Sequence, residues 1–87
     1  MDSNGIRNTV QRTLGADEAL LMTVVHAVVG DLSLVIEVGD RGQLAGDDRF
    51  DVQILRDGPR EVLGSGEGPN EDTAIRNAWS KAKTFVT

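Results

Sequence analysis

Cysteine is absent from the 87-residue chain. The chain therefore has no disulfide framework, no thiolate nucleophile and no zinc site built on thiolates. A single domain of this size buries only about 60–65% of the surface that its unfolded chain exposes. The fold must rest on the packing of a thin core, which oligomerisation would supplement.

Basic residues are in short supply, with nine Lys and Arg against fourteen Asp and Glu and a net charge of −5. A protein that follows a phosphate backbone normally carries the opposite surplus, because Lys and Arg must neutralise the phosphates. Nucleic acid is therefore disfavoured as a partner. The acidic residues are spread along the chain and form no acidic tail.

The chain also lacks an obvious leader or membrane-spanning run. Its first five residues, MDSNG, have no basic segment before an apolar one, and its longest apolar stretch, residues 19–29, is interrupted by Thr23 and His26. These patterns predict no signal peptide, no membrane partner and a cytoplasmic location.

Groups suited to catalysis are few. His26 is the single histidine, and no Ser or Cys partner is placed beside it, so it receives no role. Asp47 and Asp48 lack the regular oxygen spacing of a calcium loop. The glycine-rich stretch 64–68 lacks the lysine of a phosphate-binding loop. We predict no catalytic residue, no metal ligand and no cofactor, and hence a protein that is not an enzyme.

What remains is the composition of one globular domain, with 39% apolar and 26% charged residues. Residues 1–15 form an N-terminal arm or a short helix, because Ile6, Val10 and Leu14 recur at helical spacing. Residues 16–87 form a single α+β domain.

Residues 16–30, ADEALLMTVVHAVVG, admit two interpretations. The acidic start, the helix-forming residues and a closing Gly30 favour a helix, which is the interpretation preferred here. The β-branched valines favour a strand that pairs with residues 32–38 across a Gly30-Asp31 hairpin turn. Nearly every position is apolar, so we expect this segment to be almost wholly buried in either case.

Three strands and a helix follow. Residues 32–38 and 50–55 alternate as strands, residues 39–48 form a loop, and residues 60–65 form a shorter third strand. Gly64, Gly66 and Gly68 close it, where a positive φ would exclude other residues. A helix then begins at Asn70, and its apolar stripe is Ala74, Ile75, Ala78, Trp79, Ala82, Phe85 and Val86. The helix should lie across one face of a three-stranded antiparallel sheet.

Three short motifs in the second half of the chain carry a resemblance: FDVQI at 50–54, LGSG at 63–66 and AIRNAW at 74–79. They resemble the double-stranded-RNA-binding domain (dsRBD), whose order of elements is helix, three meandering strands, helix. The match covers a little over a third of the chain and consists mostly of packing residues. It implies an α-β-β-β-α fold with both helices on one face of the sheet. The helical alternative for residues 1–15 would add an extra N-terminal helix to that fold.

The departures from that family concern its RNA-binding positions. Where the family has paired lysines at the start of the last helix, this chain has Glu71 and Asp72, and the third basic position is Ile75. The loop at 39–48 has neither the Pro nor the His of the family's minor-groove loop and is acidic. The resemblance therefore implies a member that kept the scaffold and lost RNA binding.

The leading hypothesis is a non-catalytic protein-interaction module that binds itself as a homodimer or binds a partner protein. Contact would be made through a sheet face, a sheet edge or residues 16–29. Trp79 is expected to be a core anchor, and a candidate hot spot if exposed. The candidate interaction residues are Trp79, Arg76, Lys81, Lys83, Glu71 and Asp72.

Two alternatives remain open. Arg7, Arg12, Arg76, Lys81 and Lys83 would bind double-stranded RNA if folding gathered them on one face. An acidic inhibitor that mimics nucleic acid would instead need its carboxylates clustered in space.

Overall fold

The computed structural model describes residues 3–86 as an α+β fold, with only the backbone described at residues 3 and 4. The α+β class is confirmed, but the sheet has four strands and not three. One 3₁₀ segment spans Gln43–Asp48 and another spans Lys83–Phe85. The main elements are α1 Ser3–Leu14, β1 Leu21–Val29, β2 Leu32–Asp40, β3 Phe50–Arg56, β4 Glu61–Gly68 and α2 Glu71–Ala82.

The additional strand is β1, and it corrects the preferred helical interpretation of residues 16–30. β1 pairs antiparallel with β2 from Leu21↔Asp40 to Val29↔Leu32, so that the two-residue turn is Gly30-Asp31. Gly30 has φ 61°, the positive value that suits the first position of a type II′ hairpin turn. The hairpin alternative is correct, because the β-branched valines and this turn outweigh the helix-forming residues at the start of the segment.

The expected burial of this segment is wrong. Of the nine residues of β1, only Leu21 and Ala27 are half-buried and the others are exposed. The strand order is β1-β2-β3-β4, so β1 is an edge strand. α2 packs on β3 and β4, the two strands farthest from β1. An apolar run is buried only if the tertiary structure places another layer over it.

The sheet has two different faces. The helix face lies under α2 and carries the core, in which Leu34, Val38, Val52, Ile54 and Leu63 pack against the alanines of α2. The opposite face, called the open face below, is the one that α2 does not cover. Its central row is Val35 beside Leu55, both buried between His26 and Val62, which flank them in the same row.

α2 lies directly on β4 through three glycines. A Cβ at Gly64, Gly66 or Gly68 would come within 3 Å of backbone atoms of α2, and the alanines at 74, 78 and 82 are fully buried against this strand. None of these three glycines has a positive φ. The expectation that a positive φ requires these glycines is therefore wrong. Glycine is required because the close approach of helix and strand leaves no room for a side chain.

The C-terminal helix is confirmed. The Asn70 side chain caps it by accepting a hydrogen bond from the Thr73 N–H at 2.8 Å. Only the alanines of the expected apolar stripe are buried, while Ile75 is 39% and Phe85 61% exposed. α2 therefore packs through a narrow strip of small side chains.

α1 occupies most of residues 1–15, as the helical alternative for that segment predicts. Its apolar residues Ile6, Val10 and Leu14 are all exposed, and the Arg7 guanidinium lies against Gly42 after β2. The expected loop at 39–48 contains the end of β2 and a 3₁₀ segment, and the third predicted strand extends to Gly68. Within residues 3–86, no helix combines the length and apolar character needed to cross a membrane.

Candidate interaction surface

The free edge of β1 is apolar on both of its faces. Leu21, Thr23, Val25, Ala27 and Val29 alternate on the helix face with the even-numbered residues on the open face, which are Met22, Val24, His26 and Val28. The valines are between 41% and 71% exposed. The strand contains no acidic residue, no Lys or Arg and no Pro. Natural sheet edges usually carry such residues, which prevent pairing with another strand.

The turn determines which main-chain groups of β1 are unpaired. A two-residue turn makes Val29 and Leu32 a hydrogen-bonded pair, and such pairs alternate along an antiparallel ladder. The N–H and C=O groups of the odd-numbered residues therefore point to β2. Those of Met22, Val24, His26 and Val28 point away from the sheet, where an added strand would find them.

β4, the opposite edge, has the protective features that β1 lacks. It carries Glu61 and Glu67, and its pairing with β3 is interrupted by a register shift between Ile54 and Leu55. α2 also packs closely against it. Its exposed Val62 is 50% accessible, nearly the same as the 49% of Val24 on β1. The two edges thus offer a matched pair of positions for experiment.

An apolar groove lies between β1 and α2 on the helix face. Its volume is about 230 Å³, and its lining includes Val29 from β1, Ile36 from β2 and both Ile75 and Trp79 from α2. Trp79 is 36% exposed, so it forms a wall of this groove and is neither a fully buried anchor nor a free platform. The volume is below the usual range for small-molecule pockets, which begins at about 300 Å³.

Arg41 gathers acidic side chains at the end of the sheet where β2 finishes. Its guanidinium lies 3.1 Å from Glu67, 3.5 Å from Asp51 and 3.8 Å from Glu18. It also donates a hydrogen bond to the Asp48 carbonyl at 2.8 Å. These contacts set one positive charge among three negative ones and connect the end of β2 to β3, to β4 and to the segment before β1.

A second ion pair joins Asp40 to Arg49 across the 3₁₀ segment. The guanidinium donates from Nε to Oδ1 at 2.9 Å and from Nη2 to Oδ2 at 3.1 Å, and the Gly42 N–H donates to Oδ1 at 2.8 Å. The hydrogen bond from Arg49 lowers the pKa of the Asp40 carboxyl, although burial acts in the opposite direction. Sequence reasoning missed this pair because it interpreted residues 39–48 as an acidic loop.

The predicted interaction residues of α2 do not form one patch. Glu71 and Asp72 are exposed in its first turn, where Asp72 pairs with Arg76 at 3.2 Å. Lys81 lies four residues after Asn77, whose side chain bonds to the Glu67 carbonyl of β4. A helical step of two residues is about 200°, so Lys81 points away from Trp79 and from Lys83. Arg76 and Lys83 are seven residues apart and lie on the same face of the helix as Trp79, so only Lys81 is separated from the other two cations.

The chain was compared with protein-family models, with curated proteins and with solved structures, and none of them matches.

Proposed function

We propose that this chain is a non-catalytic protein-interaction module that binds another polypeptide by adding a strand to the free edge of β1. The observation that carries the proposal is an edge strand of nine residues without a charged residue or a proline. Main-chain hydrogen bonds would supply much of the affinity and the exposed alternate side chains would supply the specificity, as in other cases of strand addition.

The scaffold is proposed to be dsRBD-like, with β2, β3, β4 and α2 in the family's order of three strands and a last helix. β1 stands outside that pattern and is the element to which we assign the contact. The opening turn of α2 carries Glu71 and Asp72, which supports the loss of RNA binding. A mobility shift with duplex RNA at low salt tests this part, and a shift at micromolar protein would contradict it.

Mimicry of a polyanion has less support. Several of the described acidic side chains pair one-to-one with an arginine, among them Asp40 with Arg49 and Asp72 with Arg76. Glu37 pairs with Arg60 in the same way. An inhibitor of nucleic-acid-binding proteins would need a row of uncompensated carboxylates.

The test uses a labelled peptide with the sequence of residues 20–30, extended by lysines for solubility, as a model strand. We expect it to bind dilute protein and to shift the amide NMR signals of β1 while leaving those of β4 unchanged. Val24→Lys should weaken the binding about tenfold, which corresponds to about 1.4 kcal/mol, because it places a hydrated charge on the edge.

Val62→Lys is the matched control, because it adds the same charge at a position of equal exposure on the other edge. Its affinity for the peptide should equal that of the wild type. Equal weakening by both variants, or no binding of the peptide at millimolar concentration, would refute the proposed contact.

A further inference from the structure

We infer that the strand added to β1 is β1 of a second copy of this chain, in an antiparallel register with the two-fold axis at Val25. This inference rests on the proposed function and specifies the partner. Two copies would then form one continuous eight-stranded sheet, with both α2 helices on the same face. The reasons are the symmetry of the free main-chain groups, the distribution of charge and the size of the contact.

The free main-chain groups of β1 are symmetric about Val25. Two antiparallel copies related by an axis normal to the sheet place each residue opposite one from the same face. With Val25 opposite itself, Met22 faces Val28 of the other copy, and Val24 faces His26. All four outward-pointing residues of each strand are then paired, which gives about eight intermolecular hydrogen bonds. An axis at residue 24 or 26 would leave one of the four without a partner within the strand.

The side chains of the two copies are compatible in this register. On the helix face Leu21 meets Val29 and Thr23 meets Ala27, and on the open face His26 meets Val24. No like charges face each other, although each copy carries a net charge of −5. β4 could not pair with itself so readily, because it brings Glu61 and Glu67 and an irregular register.

The size of the contact indicates a reversible dimer. Five apolar residues of β1, Met22 and the four valines, are between 41% and 71% exposed. Pairing would remove roughly 400 Å² of accessible surface from each copy, or about 800 Å² in total, which places it among small, transient interfaces. We therefore expect dissociation constants in the micromolar range.

A single cysteine tests the axis directly, because the chain has no cysteine of its own. At the axis, Val25 and its symmetry mate form a non-hydrogen-bonded pair with Cα atoms about 4.5 Å apart, within the range that a disulfide spans. Val25→Cys should therefore form a covalent dimer under mild oxidation, seen by non-reducing electrophoresis.

Thr23→Cys is the control on the same strand and the same face. In this register its two copies are offset by four residues, or about 13 Å, which is beyond the reach of a disulfide. It should crosslink at least about tenfold more slowly than Val25→Cys. Equal rates for the two variants, or faster crosslinking of Thr23→Cys, would overturn the register.

Sedimentation of the cysteine-free chain tests the dimer itself. We expect a concentration-dependent monomer–dimer equilibrium that Val24→Lys weakens about a hundredfold, since each dimer contains two substituted strands, and that Val62→Lys leaves unchanged. A wild-type chain that remains monomeric at 500 micromolar, roughly a hundred times the expected constant, would overturn the inference. If the peptide nevertheless binds β1, the proposed strand addition stands and only the identity of the partner is wrong.

Discussion

Gly66→Ala is expected to destabilise this protein strongly although it adds only one methyl group. A Cβ at this position would lie 2.5 Å from the Ala78 nitrogen and 2.8 Å from both the carbonyl carbon and the Cβ of Asn77. Two of these atoms belong to the helix backbone and cannot rotate away. α2 must therefore move by about 1 Å or more to restore ordinary contact distances near 3.5–4.0 Å.

The magnitude follows from two opposing effects. Replacing a glycine with alanine in a compatible strand lowers the entropy of the unfolded chain and stabilises by about 0.4–1 kcal/mol. Overpacking of a core costs about 1–3 kcal/mol, and here it also separates the buried alanines of α2 from β4. We expect a net loss of about 2 kcal/mol. A domain of this size has a free energy of unfolding of about 4–13 kcal/mol, so the loss is a substantial share.

The assay is urea and thermal unfolding followed by circular dichroism. A loss of about 2 kcal/mol corresponds to a fall in Tm of roughly 8–16 °C. Ser65→Ala is the control, because Ser65 is the neighbouring residue of β4 and its side chain is exposed on the open face. It should stay within about 0.5 kcal/mol of the wild type. An unchanged or raised Tm for Gly66→Ala would refute the close contact between helix and strand.

Two other substitutions test local features. Asn70→Ala removes the side-chain cap of the Thr73 N–H and should lower the free energy of unfolding by about 1 kcal/mol in urea titrations, whereas Asn70→Ser should retain most of it. Asp40→Asn should cost about 1–3 kcal/mol at pH 7, because it removes the charge that Arg49 binds. The pKa of folded Asp40 is lower than its ordinary 3.8, so the difference between wild type and Asp40→Asn should be full above that value and shrink as the pH falls through the lower folded pKa. A difference that grows below pH 4, or an Asn70→Ala protein as stable as the wild type, would contradict these assignments.

Much of the exposed apolar surface of this protein lies along the unpaired edge of β1. Scattered exposed apolar side chains are ordinary, but a row of them along an unpaired strand edge also presents free hydrogen-bonding groups. Such an edge either pairs with another strand or promotes aggregation. The symmetric arrangement about Val25 favours pairing in one defined register.

The sequence patterns predicted the C-terminal part of the fold better than the N-terminal part. The second and third predicted strands and the last helix lie where expected, with boundaries that differ by a few residues. The segment for which a helix was the preferred prediction, residues 16–30, contains β1. Its apolar residues occupy nearly every position, so no period distinguished helix from strand.

The sequence by itself determined the α+β class, the alternating strands at 32–38 and 50–55, and the last helix with its Asn70 cap. These features depend on local periodicity and on hydrogen bonds between residues close in the chain. It did not determine whether the apolar run before Gly30 forms a helix or a strand, and the burial expected for that run was wrong.

Only the tertiary structure decided that this run is exposed. Burial of β1 depends on whether α2 extends over it, and α2 is held on β4 by the glycines at 64, 66 and 68, which permit a closer approach than any other strand allows. The same placement decided that Trp79 forms the wall of a groove and that the ion pairs of Arg41 and Arg49 form. The groove and the Arg41–Glu67 pair join residues distant in the chain, and local sequence patterns do not specify which distant elements come together. Asp40 and Arg49 are only nine residues apart, but their pairing depends on the 3₁₀ segment between them.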